Sequence, residues 1–401
     1  MGTTAIVLLG NIEAHQVEIT SAIINQALEF LPDAYIIDFY KDTKLSKILQ
    51  SERFIIKLEQ WKYDSWKKMY KHYKDVMSDF DNVIIMKVPI NRGISIQTLD
   101  VNVLKDINRK IRQDEKYEMD KPLMVRFIER LVFVKAIRNK NVVHFVIDPD
   151  EVDFSKVWTF KSYKRYGALK WDGCEYGPIY EYVLYNTFVQ DIPKYYDFYF
   201  GASTYDASRK YLDNAKEEVL KHLNKRRIGF VRNNPKTGSF FLFDMFNSKD
   251  VRINQSRYLY NLKLSRYTLI NPCYKQSEFN IIRFMESVIC DCVPLILKTN
   301  TDVRDMKFGL LQNLLLTFPD IYDIIIERNL IITIDMLHIR LTKYYEDSLN
   351  GSVAKAKCEV FAKPDIDICS IIKSTKSFMN ITNRDYVQSF YDNLFSEVED
   401  V

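Results

Sequence analysis

Two charged side chains, Arg283 and Glu286, interrupt the otherwise apolar run EFNIIRFMESVICDCVPLIL at residues 278–297. They are three residues apart, so on a helix they lie on one face. Burying such a pair is costly unless each group has a partner. The pair therefore has two interpretations: an exposed ion pair on an amphipathic helix, or a ligand site. In a ligand site Arg283 would meet an anionic group and Glu286 would meet sugar hydroxyls.

The stretch FGAST at residues 200–204 is a second place where an anion could bind. The sequence predicts a strand over 196–204 that enters a Gly-Ala-Ser-Thr turn, followed by a helix over 209–223. Backbone N–H groups and the Ser203 hydroxyl at a helix N-terminus suit a phosphate group, and Arg209 could add a charge-assisted contact. Such turns are common, so an ordinary connection is the alternative for this stretch taken alone.

Asp148 is the first candidate for a general base. It closes the apolar run NVVHFVID (141–148), which predicts a strand. A carboxylate at a strand end can take a proton from an attacking hydroxyl group. A turn-forming role in the Asp-Pro-Asp sequence is the alternative, and Asp150 and Asp153 are close enough in the sequence to be confused with it.

The loop GNIEAHQVEIT (10–20) supplies a runner-up. His15 could act as the base, and Glu18 is a carboxylate that could lie beside a donor sugar. Gly10 and Asn11 would let the backbone approach a ligand closely. The alternative for a histidine in a loop is simple exposure to solvent.

Three segments interleave basic and aromatic residues, a pattern that suits nucleic acid because cations hold phosphates and rings stack on bases. They are WKYDSWKKMYKHYK (61–74), KSYKRYGALKW (161–171) and HLNKRR (222–227). The alternative for 61–74 is a solvated helix face whose rings pack inward. The segment 161–171 falls between the predicted domains and is the one we assign to DNA. Its candidate contact residues are Lys161, Lys164, Arg165, Lys170 and Trp171.

Short apolar runs alternate with charged stretches of helical period along most of the chain. This order predicts parallel sheets with crossover helices, and ligands at the carboxyl ends of the strands. An irregular aromatic stretch over 155–195 separates two such sheets, and residues 383–395 predict a terminal amphipathic helix. The predicted strands are 3–11, 34–40, 82–88 and 141–148 in the first sheet, and 196–204, 227–233, 266–272 and 292–298 in the second.

The composition is that of an ordinary soluble protein, with 47% hydrophobic and 27% charged residues, and a length of 401 residues favours two domains. The net charge of +4 is compatible with a polyanionic partner without demonstrating one. Six cysteines without a CxxC pair predict reduced thiols and no zinc site. The first residues lack a signal-peptide pattern and no apolar run is long enough to span a membrane, so we expect a cytoplasmic protein.

The pattern of Phe279, Arg283 and Glu286, followed by a small-residue turn and VPLI, resembles the donor-binding helix of two-domain GT-B glycosyltransferases. It is most similar to the phage DNA β-glucosyltransferases that modify 5-hydroxymethylcytosine. In that family the arginine of this helix binds the diphosphate of UDP and the glutamate binds the ribose. The similarity is specific around 279–297, looser over 196–209, and elsewhere rests on topology.

The resemblance extends to the start of the second sheet. Gly201, Ala202, Ser203 and Arg209 stand where the family has a strand, a Gly-Gly-Ser turn and an arginine-bearing helix. Ala202 replaces a glycine, and Tyr205 stands where the family has a further arginine. The contacts to the diphosphate would therefore be reorganised.

The resemblance implies an α/β protein of GT-B fold, with two Rossmann-like domains facing across a cleft and a C-terminal helix that returns to the first domain. We expect an acceptor (DNA)-binding domain at 1–190, a UDP-sugar-binding domain at 191–380 and the terminal helix at 381–401. The family also carries its catalytic aspartate after a strand in the position of Asp148, and Glu18 roughly matches a family acid.

The implied activity is inverting transfer of a sugar from a UDP-sugar, UDP-glucose or a relative, to the hydroxymethyl group of a pyrimidine in bacteriophage DNA. We expect 5-hydroxymethylcytosine in double-stranded DNA as the acceptor, reached by base flipping in an infected bacterial host. We also expect a monomer with no membrane partner and no obligatory metal, although a divalent ion could stimulate it. Two arginines would offset the charge of the leaving diphosphate.

Two rival functions remain open from the sequence. The first is a GT-B transferase that acts on a glycan, lipid, protein or already glycosylated base. The second is a non-catalytic protein that binds DNA or a nucleotide and keeps the two-domain architecture.

Overall fold

The structure is a computed structural model of the chain. It describes residues 3–9, 17–38, 55–57, 65–86, 101–113, 122–147, 151–171, 173–187, 192–194, 196–203, 241–246, 255–270, 277–297, 310–332 and 367–396. The chain divides into two compact units, the first comprising Met1–Val183 with Arg384–Val401 and the second Leu184–Asn383.

Strands and helices alternate through both units. The strands are β1 (Thr4–Leu8), β2 (Tyr35–Asp38), β3 (Ile55–Lys57), β4 (Asn82–Met86), β5 (Asn141–Val146), β6 (Ser162–Gly167), β7 (Glu175–Tyr176), β8 (Tyr196–Ser203), β9 (Phe241–Phe246), β10 (Ser265–Ile270), β11 (Val293–Leu297) and β12 (Ile331–Ile332). The α-helices are α1 (Val17–Phe30), α2 (Trp66–Val76), α3 (Val101–Gln113), α4 (Pro122–Ile137), α5 (Glu181–Thr187), α6 (Gln255–Lys263), α7 (Ser277–Ile289), α8 (Leu310–Thr317), α9 (Pro319–Glu327), α10 (Ile368–Lys373), α11 (Lys376–Thr382) and α12 (Arg384–Asp392).

The first unit holds a sheet of parallel strands in the order β3-β2-β1-β4-β5-β6-β7. The second holds a parallel sheet in the order β12-β11-β10-β8-β9. The strand order reverses between β1 and β4 in the first sheet and between β8 and β10 in the second. In open sheets of this kind, ligands bind outside the carboxyl ends of the strands at the reversal, the switch point. The prediction of two parallel α/β sheets in series is confirmed.

The faces of the first sheet are covered by different helices. Alternate side chains such as Val7 and Ile85 pack in one core with residues of α2, α3 and α4. On the other face, Phe145 of β5 contacts Tyr391 of α12 at 6.2 Å between ring centroids, and Tyr391 stacks on Phe30 of α1 at 5.3 Å. The predicted return of the terminal helix to the first domain is thereby confirmed.

Two local predictions are wrong. The segment 161–171, predicted to be irregular, contains β6, which pairs in parallel with β5. Its basic side chains hide the strand, because this strand is not the apolar run that a buried parallel strand usually shows. The strand predicted over 196–204 is confirmed as β8, but residues 201–203, also predicted to form a turn, continue the strand and pair with residues 244–246 of β9. The predicted helix at 209–223 and strand at 227–233 lie outside the described residues.

Glu181, the first residue of α5, is a carboxylic acid in the core of the first unit, and it is only 1% exposed. Its carboxyl group accepts a hydrogen bond from the Tyr180 backbone N–H at 3.2 Å. Burial raises the pKa of Glu181 from its ordinary value of 4.5 to about 8, so the side chain is mainly neutral at physiological pH.

This burial predicts a pH-dependent stability. The folded state keeps a proton on Glu181 that the unfolded chain loses, so the stabilisation is complete below pH 4.5 and is lost as the pH rises through 8. Glu181→Gln keeps the shape without the ionisation. We expect its advantage in free energy of unfolding over the wild type to grow by up to about 3 kcal/mol between pH 4.5 and pH 7 in urea titrations.

Glu175→Gln is the matched control, because the Glu175 side chain is 63% exposed. Its difference from the wild type should vary little with pH. A difference for Glu181→Gln that is equally flat would contradict the buried ionisation.

Candidate functional site

The Arg283–Glu286 pair lies on α7, the helix that follows β10, one of the two switch-point strands of the second sheet. Apolar residues on both sides of the pair bury the helix, including Ile282, Phe284 and Met285. The helix therefore holds the two charged residues at a fixed position between neighbouring elements.

The two side chains form a close ion pair. Arg283 Nη1 donates to Glu286 Oε2 at 2.8 Å, and the side chains are 17% and 1% exposed. The guanidinium carbon of Arg283 lies 4.1 Å from the centroid of the Tyr258 ring of α6, which is a cation–π contact. The shared face predicted from the three-residue spacing is confirmed, whereas the interpretation as an exposed ion pair is wrong because Glu286 is buried.

The surroundings keep Arg283 charged. Burial alone would lower the pKa of its guanidinium, but Glu286 and Tyr258 beside it raise that pKa above its ordinary value. Tyr258 in turn contacts Tyr199 of β8, with 5.6 Å between the ring centroids. A guanidinium carries five N–H donors in a planar fork that matches phosphate oxygens. A carboxylate and an aromatic ring thus orient a permanent cation that is chemically suited to a phosphate group.

Two of the other predicted donor residues lie at the carboxyl end of the neighbouring switch-point strand. Gly201 and Ser203 lie in the last three residues of β8, at the carboxyl edge of the sheet after which α7 also begins. Arg209 lies outside the described residues. The structure therefore brings the backbone of Gly201 and Ser203 to the switch point of the sheet from which α7 leads away.

The candidate bases belong to the first unit. Asp148 and His15 lie outside the described residues, as do Gly10 and Asn11, and Glu18 is described as a backbone position of α1. The strands that precede these segments, β1 and β5, are both neighbours of β4. Their carboxyl ends therefore lie at or next to the switch point of the first sheet.

A buried hydrogen-bonded chain, which the sequence interpretation missed, joins the end of β5 to Glu151. His144 is fully buried, with Nε2 at 2.8 Å from Glu151 Oε2 and Nδ1 at 2.9 Å from the Tyr163 hydroxyl. The second carboxylate oxygen of Glu151 accepts from the Ile147 N–H at 3.1 Å. Glu151 therefore links its own side chain to the backbone of Ile147, the residue that follows β5, four residues earlier in the chain.

The proton positions follow from these partners. Burial lowers the pKa of His144, so its ring is neutral. Its Nε2–H then donates to Glu151, and its Nδ1 accepts from the Tyr163 hydroxyl, whose oxygen accepts from the Phe154 N–H at 3.3 Å. A histidine on a buried strand followed at seven residues by a glutamate was the available signal in the sequence.

The candidate DNA contacts on β6 do not form one surface. Successive strand residues point to opposite faces. Lys164 donates to the Ser396 carbonyl at 2.6 Å, whereas Arg165 is 8% exposed and donates to the Glu151 carbonyl at 3.2 Å. Trp171 lies beside Arg165, with 5.8 Å from the guanidinium to the ring centroid.

The remaining two DNA candidates are exposed. Lys161 faces solvent, and Lys170 Nζ lies 3.0 Å from the Glu175 carboxylate. Of the five candidates, these two are the most accessible to a partner.

The described ranges offer neither a cluster of metal ligands nor a membrane-spanning helix. No group of three or more histidine, cysteine, aspartate or glutamate residues there is placed to hold a metal ion. Within the same ranges, no helix combines the length and apolar character needed to cross a bilayer. The described cysteines, Cys174, Cys290, Cys292 and Cys369, are buried free thiols.

Comparison with known proteins adds likenesses in structure only. No protein-family model matches the sequence, and no curated protein matches it. The chain is similar to HepE of Anabaena, solved with UDP and glucose, at 10% identity and a TM-score of 0.46 over 98% of this chain and 100% of that one. It is also similar to the DNA-modifying enzyme β-glucosyltransferase, solved with and without uridine diphosphoglucose, at 13% identity and a TM-score of 0.33 over 94% and 99%.

A third similar structure is MurG of Acinetobacter baumannii, at 8% identity and a TM-score of 0.38 over 93% of this chain and 100% of that one. Because these TM-scores are low, the two sheets themselves define the class of the chain. It is an α/β protein of two Rossmann-like units with parallel sheets.

Breaking the α7 ion pair should be costly. Arg283→Ala removes the cation that pairs with the buried Glu286 carboxylate. We therefore expect a loss of about 3 kcal/mol or more in the free energy of unfolding. Arg283→Met combined with Glu286→Leu removes both charges and should recover most of this loss. Urea denaturation of the wild type, Arg283→Met, Glu286→Leu and the double variant completes a double-mutant cycle that measures the coupling. A coupling near zero would show that the pair is not formed.

Removing Glu151 should destabilise the end of β5. Glu151→Ala deletes the acceptors of the His144 ring and of the Ile147 N–H, so we expect a loss of about 2–4 kcal/mol. Amide exchange at Ile147 should also become faster than in the wild type. Tyr163→Phe, which removes one hydrogen bond, should cost only about 1 kcal/mol. Equal losses for the two variants would contradict a central role for Glu151.

Proposed function

We propose that the chain is a GT-B glycosyltransferase that transfers a sugar from a UDP-sugar to a hydroxymethylated pyrimidine in DNA, 5-hydroxymethylcytosine first of all. The observation that carries this proposal is the Arg283 guanidinium, oriented by Glu286 and Tyr258 on the helix that follows a switch-point strand. Parallel sheets of this topology bind ligands at that edge. A fixed guanidinium suits the diphosphate of a nucleotide sugar.

The donor would be held by residues of the second unit. Arg283, with Arg209 and Ser203, binds the diphosphate, and the backbone at Gly201 permits close approach. When the diphosphate binds the Arg283 guanidinium in place of Glu286, the Glu286 carboxylate becomes available to accept hydrogen bonds from the ribose hydroxyls. Neutralisation of the leaving group by two arginines requires no metal ion, although a divalent ion could stimulate the reaction.

The chemical step would be one displacement. Asp148 takes the proton of the hydroxymethyl group while its oxygen attacks the anomeric carbon, and the bond from that carbon to the UDP oxygen breaks. Attack on the face opposite UDP inverts the anomeric configuration. Glu18, Gly10 and Asn11 would lie near the donor sugar, and His15 is the alternative base.

The acceptor would be double-stranded DNA from which the modified base is flipped, because the hydroxymethyl group must reach the catalytic carboxylate. Exposed Lys161 and Lys170 are the β6-side residues best placed to meet phosphates. The protein would act as a monomer in the cytoplasm of an infected bacterial host.

The test is incubation of the protein with duplexes that contain 5-hydroxymethylcytosine, 5-hydroxymethyluracil or unmodified bases, together with a panel of UDP-sugars. Nucleoside mass spectrometry should show a mass gain of one sugar on a hydroxymethylated base. Asp148→Asn should lower the rate of transfer by about 10²–10⁴-fold while UDP binding, measured by calorimetry, is kept. Arg283→Gln should instead weaken UDP binding.

Asp79→Asn is a suitable control, because Asp79 is exposed in the turn before β4 and should leave transfer unchanged. If the protein binds UDP but no DNA gains mass, the DNA acceptor is rejected. The protein would then be a nucleotide-binding protein or a transferase that acts on another acceptor. Failure to bind UDP would overturn the proposal entirely.

A further inference from the structure

Three neighbouring helices of the first unit carry an excess of positive charge. The sequences of α2, α3 and α4 contain eleven lysines and arginines against three acidic residues, a net charge of +8. The whole chain has a net charge of only +4. The rest of the chain is therefore net negative, and the positive charge is concentrated in this one layer.

The helices form one continuous surface because they pack against the same face of the first sheet. Trp66, Met69 and Tyr73 of α2 point into the core shared with residues of α3 and α4. The opposite side of α2 consequently presents lysines to solvent. We call the resulting surface the basic helical face, defined by Lys67, Lys71, Lys74, Arg112, Lys135 and Arg138.

Aromatic rings beneath the surface hold several of its cations in place. The Tyr70 ring lies 5.5 Å from the Lys135 ammonium of α4 and 6.0 Å from that of Lys74 on α2. Lys110 of α3 lies 5.8 Å from the Trp66 ring. These cation–π contacts join the three helices and fix the spacing of ammonium groups.

Basic residues outnumber acidic ones in the sequences of these helices. Among the described side chains of the three helices, Asp75 is the exposed acid, whereas Glu129 is buried and its pKa is raised to about 7 by that burial. Burial, followed by the charges of Arg138 and Arg112, lowers the pKa of Lys135. The positive groups are thus close enough to repel one another, and a polyanion would relieve that repulsion.

We propose that the basic helical face binds the phosphate backbone of double-stranded DNA, an inference that rests on the proposed function for its choice of partner. Lys67, Lys71 and Lys74 form a stripe about 10 Å long on α2. Duplex DNA carries one negative charge per about 1.7 Å of its axis, so this stripe alone spans several phosphates. Backbone contacts of this kind position a duplex without reading its sequence.

An anionic membrane fits this face less well. Helices that lie in a membrane interface insert an apolar side, and they keep their basic side toward the headgroups. Here the apolar side of α2 is buried in the protein core. The described exposed surface of α2 is mainly polar and basic.

The experiment measures binding to a short unmodified duplex by fluorescence anisotropy over a range of salt concentrations. The triple variant Lys67→Gln, Lys71→Gln, Lys74→Gln should weaken binding by about tenfold or more near physiological salt. It should also reduce the slope of log K against log salt by about 2–3, because each phosphate contact contributes about 0.9. The control is Arg266→Gln, Arg328→Gln, Lys376→Gln, which removes three exposed cations from the second unit and should change both quantities little.

Equal effects of the two triple variants, or no duplex binding by the wild type, would overturn the proposal. Binding to phosphatidylserine vesicles as tight as to the duplex, with the same dependence on Lys67, Lys71 and Lys74, would replace DNA by a membrane. The assay contains no sugar donor and no modified base. If the wild type binds the duplex through this face but transfers no sugar to modified DNA, the proposed function is rejected and the surface stands. If the wild type transfers sugar but the lysine triple variant binds the duplex as well as the wild type, the surface is rejected and the proposed function stands.

Discussion

The covering of parallel strands on both faces is the constraint on which the architecture depends. A strand such as β1 or β4 is buried along its whole length, so after its first residue it is apolar, and its chemistry must be placed where the strand ends. Both sheets then gather their strand ends at one edge, and a reversal of strand order opens a crevice there. The position of a candidate site is thus a consequence of burial before any particular side chain is considered.

Two clusters of buried polar groups are held together by their partners. Arg283 is balanced by Glu286 and Tyr258, and His144 by Glu151 and Tyr163. Each arrangement joins separate elements through bonds that work only at one geometry, because an unpaired buried charge is expensive. Because breaking any one of these contacts would leave a buried polar group unpaired, the clusters are rigid. Rigidity is what a site for an anion or a reacting hydroxyl needs.

The apolar periodicity was sufficient to predict the central strands and the helices α7 and α12, because buried runs and amphipathic stripes are local signals. The spacing of Arg283 and Glu286 likewise predicted their shared face, but not the burial of Glu286, which depends on packing against the rest of the unit. β6 escaped prediction because Lys164 and Arg165 are paired by distant partners, Ser396 and Glu151. Such long-range compensation leaves no pattern within a short window of sequence.

The stacking of Tyr391 on Phe30 has a consequence for biosynthesis. One layer of the first unit is completed by a helix that leaves the ribosome only after the entire second unit. The second unit can therefore fold while the first unit still exposes the apolar ring of Phe30 and the adjoining surface of β5. The first unit can close only after α12 has been synthesised. A nascent chain stalled before α12 would expose this hydrophobic patch, which is the kind of surface that chaperones bind.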